Sequence, residues 1–378
     1  MKTTDQIESR REFIKRLGAV SLSLIAVRSA FSVENLSTSE PIDLLVVGDS
    51  VIWGQGLEER DKFYSLTAEW LRSTAFGSKR DVRVKVKAHS GSTIKMHQDE
   101  AAGYKKAGRD EGYYYKPEVN VGSPSIWYQI GAASEEYKAA GVAKGADIIM
   151  LSGGITDISV AKLLDPFGDD SKLPELIEKS CGDGIFELLE RSRSLYPQAL
   201  IVVVGYFPIL SSKTDGGKLF NGWLESMAFP RFLKSLANNP LTRSVFFRDI
   251  RRKTINRSRI WFSESSKQMK AAVDRFNHVH GGEIAVFVPS PITEETCLET
   301  PDTLLFRMGK MGRSEDPLFA ERSAECRTAL PELKRSTGLN YPVRYCEIAA
   351  IGHPNQAGAR AYADSIITAI SPKFLNGR

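Results

Sequence analysis

Residues Ile42–Ser50 read IDLLVVGDS, an apolar run that ends in glycine, aspartate and serine. A short run of this kind, rich in aliphatic residues and closed by Gly48, predicts a buried strand followed by a tight turn. We therefore expect the Ser50 hydroxyl at the carboxyl end of a strand, where open α/β sheets place their chemistry. Asp49 is expected to fix the turn rather than to react.

A second stretch lies about three hundred residues further on and reads GHPNQAG over Gly352–Gly358. A serine at the end of a strand and a histidine just before a final helix are the two components of a serine hydrolase. Gly-Asp-Ser alone is a common turn sequence, so the prediction depends on both stretches. Together they predict Ser50 as the nucleophile and His353 as the base.

Strand-like and helix-like segments alternate along the rest of the chain. This alternation predicts a three-layer α/β/α fold of the flavodoxin-like type, with a five-stranded parallel sheet. The predicted strands are residues 42–47, 82–87, 147–151, 199–204 and 284–288. The predicted helices are residues 60–74, 132–144, 172–194, 264–280 and 355–370.

Three stretches exceed what such a fold requires, and we interpret them as long insertions in a domain over residues 40–378. Residues 98–130 are rich in tyrosine and follow the second predicted strand, so they either line the site or pack on their own domain. Residues 206–262 contain several aromatic residues and are a candidate helical lid. Residues 289–345 carry two of the four cysteines and lead into the His353 segment.

Four short blocks between residues 42 and 370 resemble those of the SGNH or GDSL hydrolase family of serine esterases and lipases. The first is the strand with its Gly-Asp-Ser, ending at Ser50. The second is a glycine after the second strand, which corresponds to Gly91. The resemblance implies that the main-chain amides of Ser50 and Gly91 form part of an oxyanion hole.

The third block, Gly154–Asp157, resembles the family motif Gly-x-Asn-Asp, and it has Thr156 at the asparagine position. A threonine hydroxyl can donate one hydrogen bond, so Thr156 is the implied third donor to the oxyanion. Gly154 and Asp157 are expected to support this turn.

The fourth block, Ala350–Pro354, resembles the family motif Asp-x-x-His-Pro but has Ala350 where the family has its triad acid. The acid normally selects the histidine tautomer and stabilises the imidazolium. Two substitutes are open: a main-chain carbonyl near Ala350, which would make a Ser-His dyad, or the carboxylate of Glu347.

Charge and composition restrict the function. The net charge is +5, of which residues 1–32 contribute +3, so the remainder is close to neutral. No basic cluster is interleaved with aromatic residues, so we expect no nucleic-acid binding. No cysteines are spaced as a zinc site requires, and no metal or organic cofactor is implied.

The N-terminus resembles a twin-arginine export signal. Residues Ser9–Lys15 read SRREFIK, a modest apolar run follows over residues 17–27, and Ala30–Ser32 is a candidate cleavage site. The apolar run is too short for a stable membrane anchor. We therefore expect residues 1–32 to be a signal peptide read by the twin-arginine translocase, and the mature protein to be periplasmic or secreted.

That compartment permits disulfides, and the chain has four cysteines, at positions 181, 297, 326 and 346. Four cysteines allow three pairings, and the sequence does not choose between them. Isolated buried thiols remain an alternative, above all for Cys181.

The sequence thus predicts an exported serine esterase or lipase that acts on a small-molecule or glycan ester. A glycan O-acyl esterase or an acyltransferase of the same fold is one alternative. The other is a member that binds glycan or lipid without turnover, which the residues Ala350 and Thr156 would favour.

Overall fold

A parallel β-sheet of five strands organises the protein, which the computed structural model describes over residues 40–113, 115–215 and 240–375. All neighbouring strands are parallel, in the order β2-β1-β3-β4-β5 across the sheet. This is the flavodoxin-like order, so the predicted fold class is confirmed. The strands are β1 Ile42–Gly48, β2 Val82–Val86, β3 Ile148–Ser152, β4 Leu200–Val204 and β5 Ala285–Val288.

Helices flank the sheet in two packed groups, one formed by α2 and α12 and the other by α4, α8 and α9. The helices of the described residues are α1 Ser50–Trp53, α2 Phe63–Trp70, α3 Gln98–Lys106, α4 Ile126–Ala139, α5 Ile155–Ile158, α6 Val160–Leu163, α7 Leu173–Ile177, α8 Ile185–Leu195, α9 Pro240–His280, α10 Phe319–Thr337, α11 Val343–Glu347 and α12 Gln356–Leu375. Wider helical turns at Leu71–Ala75 and Glu178–Gly184 extend α2 and connect α7 to α8.

Burial along the strands follows from their positions in the sheet. Every residue of β1 and of β3 is buried, because helices cover both faces of these central strands. The edge strand β2 is different, since Val82 is buried while Arg83 and Val84 are exposed. The continuous apolar run before Ser50 is therefore the mark of a central strand.

The register of the strands gathers three turns at one edge of the sheet. Gly48, the last residue of β1, pairs with the last residue of β3. Its carbonyl also accepts a hydrogen bond from the His89 N–H at 3.0 Å, just beyond β2. The turns after β1, β2 and β3 carry Ser50, Gly91 and Thr156 respectively, so these residues lie at the same edge.

One predicted helix is much longer than the sequence pattern indicated. Residues 264–280 form only the last part of α9, which begins at Pro240. The turns before residue 264 are rich in basic residues, so they lack the apolar periodicity by which an amphipathic helix is predicted from sequence. Long-range contacts hold them instead: Arg257 bonds Asp170 at 2.6 Å and the carbonyl of Leu163 at 3.0 Å.

The insertions contain regular structure where they are described. Residues 98–130 include α3 and the start of α4, and residues 289–345 include α10. The predicted signal peptide at 1–32 and the lid aromatics Phe220, Trp223, Phe229 and Phe232 lie outside the described residues. Within the described ranges no helix is both long and apolar enough to cross a membrane.

A single disulfide joins two of the four cysteines. Cys326 in α10 is bonded to Cys346 in α11, twenty residues later in the chain. Cys181 and Cys297 are free and buried. The structure thus has one disulfide rather than two, with Cys181 as the isolated buried thiol that the sequence analysis left open, and the bond connects the two helices that precede His353.

Candidate active site

Ser50 is placed by the turn that ends β1. Gly48 has φ +143°, and a Cβ atom there would lie 2.3 Å from the carbonyl oxygen of Ser152, so only glycine fits. Asp49 then caps α1, because its Oδ1 accepts a hydrogen bond from the Val51 N–H at 3.0 Å. Ser50 is the first residue of α1, with 8% of its surface exposed.

His353 is placed by a turn and a short bridge just before α12. Its N–H donates to the carbonyl of Ala350 at 3.0 Å, and its own carbonyl accepts from the Phe306 N–H at 2.8 Å. An isolated bridge between Leu305 and Pro354 extends this contact. The ring nitrogen Nε2 lies 2.7 Å from Ser50 Oγ, so the structure brings the two residues together across 303 positions of sequence.

The second ring nitrogen of His353 is in a different situation. Nδ1 is buried and has no hydrogen-bond partner among the described residues. Burial lowers the pKa of His353 to about 4, and the Arg322 guanidinium acts in the same direction. The main-chain carbonyls of Ala349 and Ile351 raise it in part. The imidazole is therefore neutral near pH 7, which is the form that a general base requires.

The two substitutes for the missing acid differ in their positions. Glu347 carries its carboxylate away from the base: Oε1 accepts from Arg327 Nε at 2.6 Å and Oε2 from Arg344 Nη1 at 3.3 Å. The carbonyls of Ala349 and Ile351 lie close enough to act on the pKa of His353, although neither forms a hydrogen bond to Nδ1. Neither substitute therefore bonds Nδ1 in this structure, and the carboxylate of Glu347 is held by Arg327 and Arg344.

Gly91 lies in a turn that leaves no room for a side chain. Its φ is +85°, and a Cβ atom would lie 2.3 Å from Asn120 Oδ1 and 2.6 Å from the carbonyl oxygen of Val121. The backbone approaches closely because Asn120 and Val121 fold over the turn. Any other residue at position 91 would therefore clash with these neighbouring atoms.

Thr156 lies in α5, immediately after β3, and its hydroxyl is already engaged. Oγ1 donates a hydrogen bond to the carbonyl oxygen of Ser92, in the turn after β2. A hydroxyl carries one proton, so it cannot donate to a second acceptor at the same time. In the resting site Thr156 thus joins two turns, and its role as an oxyanion donor stays a prediction.

Three further residues of the motifs brace these turns. Both carboxylate oxygens of Asp157 accept from the Ile94 N–H at 3.2 Å, and Tyr206 donates its hydroxyl proton to Asp49. Burial raises the pKa of each of these two carboxyl groups to about 6. Gly154 has φ +117°, and a Cβ atom there would lie 3.0 Å from the Cys181 sulfur.

A buried ionic group lies behind the site, and the sequence patterns did not indicate it. We name Glu118, Asp316 and Arg322 the Arg322 cluster. Arg322 binds Asp316 through Nη1 at 2.9 Å and Nη2 at 2.7 Å, and it binds Glu118 through Nη1 at 2.9 Å. Its Nε also donates to the main-chain carbonyl of Glu347 at 3.1 Å.

Glu118 connects this cluster to residues 53–56, which follow Ser50 in the chain. Its carboxylate accepts from Trp53 Nε1 at 2.7 Å, Gln55 Nε2 at 3.0 Å and the Gly56 N–H at 3.2 Å. The Lys62 ammonium lies over the Trp53 ring, 3.0 Å from its centroid. Burial lowers the pKa of Lys62 to about 8. The cluster therefore holds the chain just beyond Ser50.

Sequence reasoning missed the Arg322 cluster because its members are far apart in the chain and lie in predicted insertions. Glu118 and Arg322 are 204 positions apart, and no periodicity relates them. Residues 40–113, 115–215 and 240–375 contain no group of three or more histidine, cysteine, aspartate or glutamate side chains that could hold a metal ion.

No protein-family model and no curated protein sequence matches the chain. Solved structures do match. An extracellular lipase from Streptomyces rimosus is 12% identical, with 87% of this chain and 99% of that chain covered and a TM-score of 0.41. A phospholipase A1 from Streptomyces albidoflavus is 11% identical, with coverages of 87% and 99% and a TM-score of 0.40.

A family two carbohydrate esterase from Clostridium thermocellum, solved in complex with cellohexaose, also matches. It is 13% identical, with 88% of this chain and 64% of that chain covered and a TM-score of 0.36. Similarities at these identities and TM-scores carry no inference about the activity of this chain.

Proposed function

We propose that the protein is a serine esterase or lipase of the SGNH type, which hydrolyses carboxylic esters through an acyl-Ser50 intermediate. The observation that supports this most directly is the 2.7 Å distance between Ser50 Oγ and His353 Nε2. At this distance a neutral imidazole can accept the hydroxyl proton. The proposal involves no metal or organic cofactor.

The reaction would proceed in two halves. His353 Nε2 removes the Ser50 proton while Oγ bonds to the carbonyl carbon, and the carbonyl electron pair moves onto oxygen. Return of that pair breaks the bond to the alcohol, which leaves with the proton from His353. Water then attacks the acyl carbon in the same way, and Ser50 Oγ leaves and regains its proton as the acid departs.

The main-chain amides of Ser50 and Gly91 are the proposed oxyanion donors, with the Thr156 hydroxyl as the third. Thr156 would leave the carbonyl of Ser92 only as negative charge develops on the substrate oxygen. A charged oxygen is the stronger acceptor, so the exchange is favourable in the transition state and not before. Asp49, Gly154 and Asp157 would support the turns that hold these donors.

A glycan O-acyl esterase, or an acyltransferase with an acceptor hydroxyl in place of water, is the alternative with the same intermediate. Tyr113 and Tyr128, on or beside the 98–130 insertion, are each 37% exposed, and exposed aromatic rings are suited to stacking on sugars. Acetate release from acetylated polysaccharide, compared with hydrolysis of aryl esters, tests this. Preference for short aryl esters in that comparison would count against a glycan substrate.

Labelling by a fluorophosphonate probe tests the nucleophile. Ser50→Ala should abolish labelling and lower ester turnover by at least ~10³-fold, because the proposed acyl intermediate forms on the Ser50 hydroxyl. Ser73→Ala, at an exposed serine on the far end of the α2 extension, is the matched control and should label normally. Full labelling of Ser50→Ala would refute the assignment.

Absence of labelling in the unmodified protein would instead favour a member that binds glycan or lipid without turnover. Two observations give that alternative its weight: Ala350 supplies no carboxylate, and the Thr156 hydroxyl is occupied.

We also propose export through the twin-arginine translocase into the periplasm or the medium, on the basis of the Ser9–Lys15 sequence. Replacing Arg10 and Arg11 by lysine should retain the precursor in the cytoplasm, which fractionation followed by immunoblotting would measure. Export of that variant at the normal level would show that the N-terminus is not such a signal.

A further inference from the structure

The space behind His353 is shared by two side chains from different parts of the chain. A Cβ atom on Gly56 would lie 2.6 Å from Cβ of Ala350 and 3.0 Å from Cβ of Asp316. Ala350 also accepts the hydrogen bond from the His353 N–H, so this point adjoins the turn that carries the base. A carboxyl group therefore lies beside the methyl group of Ala350, although residue 316 supplies it.

Asp316 is held in place by Arg322. The guanidinium binds both carboxylate oxygens, at 2.9 and 2.7 Å, and neither side chain has any exposed surface. A bidentate pair of this kind is fixed in direction as well as in distance. Asp316 thus stays bound to Arg322, in agreement with the absence of a hydrogen-bond partner for His353 Nδ1 among the described residues.

Two opposite charges consequently act on the imidazole. Burial lowers the pKa of His353 most, the Arg322 guanidinium lowers it further, and the Asp316 carboxylate raises it. Glu118 also binds Arg322, and the Lys62 ammonium lies over the ring of Trp53, whose Nε1 donates to Glu118. The imidazolium that forms during acyl transfer would be repelled by an unpaired guanidinium, and Asp316 offsets that repulsion.

We propose, on the basis of the esterase function proposed above, that Asp316 is the positioning residue that replaces the missing acid. Paired with Arg322, it prevents the guanidinium from opposing the imidazolium of His353. The pair also fixes the geometry, because Arg322 bonds Glu118 on the Ser50 side and the carbonyl of Glu347 on the His353 side.

Asp316→Asn tests the proposal, because it removes the charge and nearly keeps the shape. We expect kcat at pH 7 to fall ~10²-fold, less than the ~10⁴-fold lost when a directly bonded acid is neutralised. The acid limb of the kcat/KM profile should move to lower pH, since the Asp316 charge that raises the pKa of His353 is lost while Arg322, then paired with Glu118 alone, still lowers it. KM should change little, because the effect falls on the imidazolium and not on the bound ester.

Glu347→Gln is the matched control, since it neutralises another buried carboxylate close to the base in sequence. Its carboxylate is bound by Arg327 and Arg344, so kcat should stay within about tenfold and the acid limb should not move.

A double variant that moves the aspartate from position 316 to position 350 is the second test. Asp316→Ala/Ala350→Asp moves the carboxyl group from one side of the shared space to the other. It should recover kcat at least ~10-fold over Asp316→Ala, because it returns a negative charge to the space beside Gly56 that residues 316 and 350 share. If Asp316→Asn does not fold by circular dichroism, this recovery decides the matter, and its absence in a folded protein overturns the proposal.

The outcomes separate this inference from the function on which it rests. Normal kcat and an unmoved acid limb in folded Asp316→Asn would overturn the role of Asp316, while fluorophosphonate labelling of Ser50 would preserve the esterase. Failure of the unmodified protein to label at Ser50 would overturn both.

Discussion

Ser50 and His353 reach the same edge of the sheet through different kinds of structure. The Ser50 half of the site, which is the turn after β1, is formed by three consecutive residues. Gly48 ends the strand, Asp49 caps α1, and Ser50 is the first residue of that helix. The His353 half, which is the turn before α12, is held by contacts between distant parts of the chain. These are the bridge between Leu305 and Pro354, the hydrogen bond from Arg322 to the carbonyl of Glu347, and the disulfide between α10 and α11. The turn that carries Ser50 thus has a local sequence signature, although Tyr206 and Glu118 also bond to it, whereas the turn that carries His353 depends on long-range contacts.

Burial also shifts the pKa values of Asp49 in one half and His353 in the other, in opposite directions. Beside Ser50, burial raises the pKa of Asp49 to about 6, so this half favours neutral acids. In the other half, burial and Arg322 lower the pKa of His353 to about 4, which favours a neutral base. Burial therefore favours the uncharged form in both halves, so that Asp49 is mostly neutral below about pH 6 and His353 is mostly neutral above about pH 4.

The largest effect that would test this comparison concerns the disulfide. Cys326→Ser/Cys346→Ser should lower the free energy of unfolding by about 3 kcal/mol, from the loop closed by twenty residues. Activity should fall further than this loss of stability explains, because α10 and α11 hold the contacts of the base. Urea unfolding and ester turnover, measured on the same samples, would show both effects.

Cys297→Ser is the control for that variant, since it alters a buried thiol outside the disulfide, and it should cost less stability and little activity. Unchanged stability and turnover in the double variant would mean that the His353 half is as self-sufficient as the Ser50 half.

A smaller effect concerns pH. The folded-state pKa of Asp49, about 6, exceeds its ordinary value of 3.8 in the unfolded chain, so its contribution to stability is fully present below pH 3.8 and is lost as pH rises through 6. Asp49→Asn removes this dependence while keeping an oxygen that can accept from the Val51 N–H. Relative to the unmodified protein, its free energy of unfolding should therefore improve by about 1 kcal/mol between pH 5 and pH 7.

Chemical denaturation at the two pH values measures this difference. A parallel pH dependence in the two proteins would show that Asp49 does not titrate in this range, and the proposed contrast in charge between the halves would then be lost.

Much of the fold follows from local patterns in the sequence. Central strands of a parallel sheet are buried on both faces, so they read as continuous apolar runs, and the run before Ser50 is one of them. The basic turns of α9 before residue 264 lack such a pattern, because ion pairs and carbonyl contacts such as those of Arg257 stabilise them. Periodicity cannot report contacts of that kind.

The residues of the candidate site were likewise predictable only where a local sequence pattern marks them. Short motifs located Ser50, Gly91 and His353, because each depends on a turn with a local signature. Asp316 and Arg322 have no such signature, since what matters is their approach to each other and to Ala350 in the folded chain. The engagement of the Thr156 hydroxyl by Ser92 was equally invisible, because it joins the turns after two different strands.

The 303 positions between nucleophile and base have a consequence for the timing of folding. A growing chain contains β1 and the Ser50 turn early, but His353 and α12 follow some three hundred positions later, and α12 must then pack on α2, where the rings of Phe63 and Tyr362 lie 5.4 Å apart. Contacts of such high sequence separation form late in folding. Any catalytic competence would therefore arise only in the finished molecule, and an incomplete chain would be inert towards the esters around it.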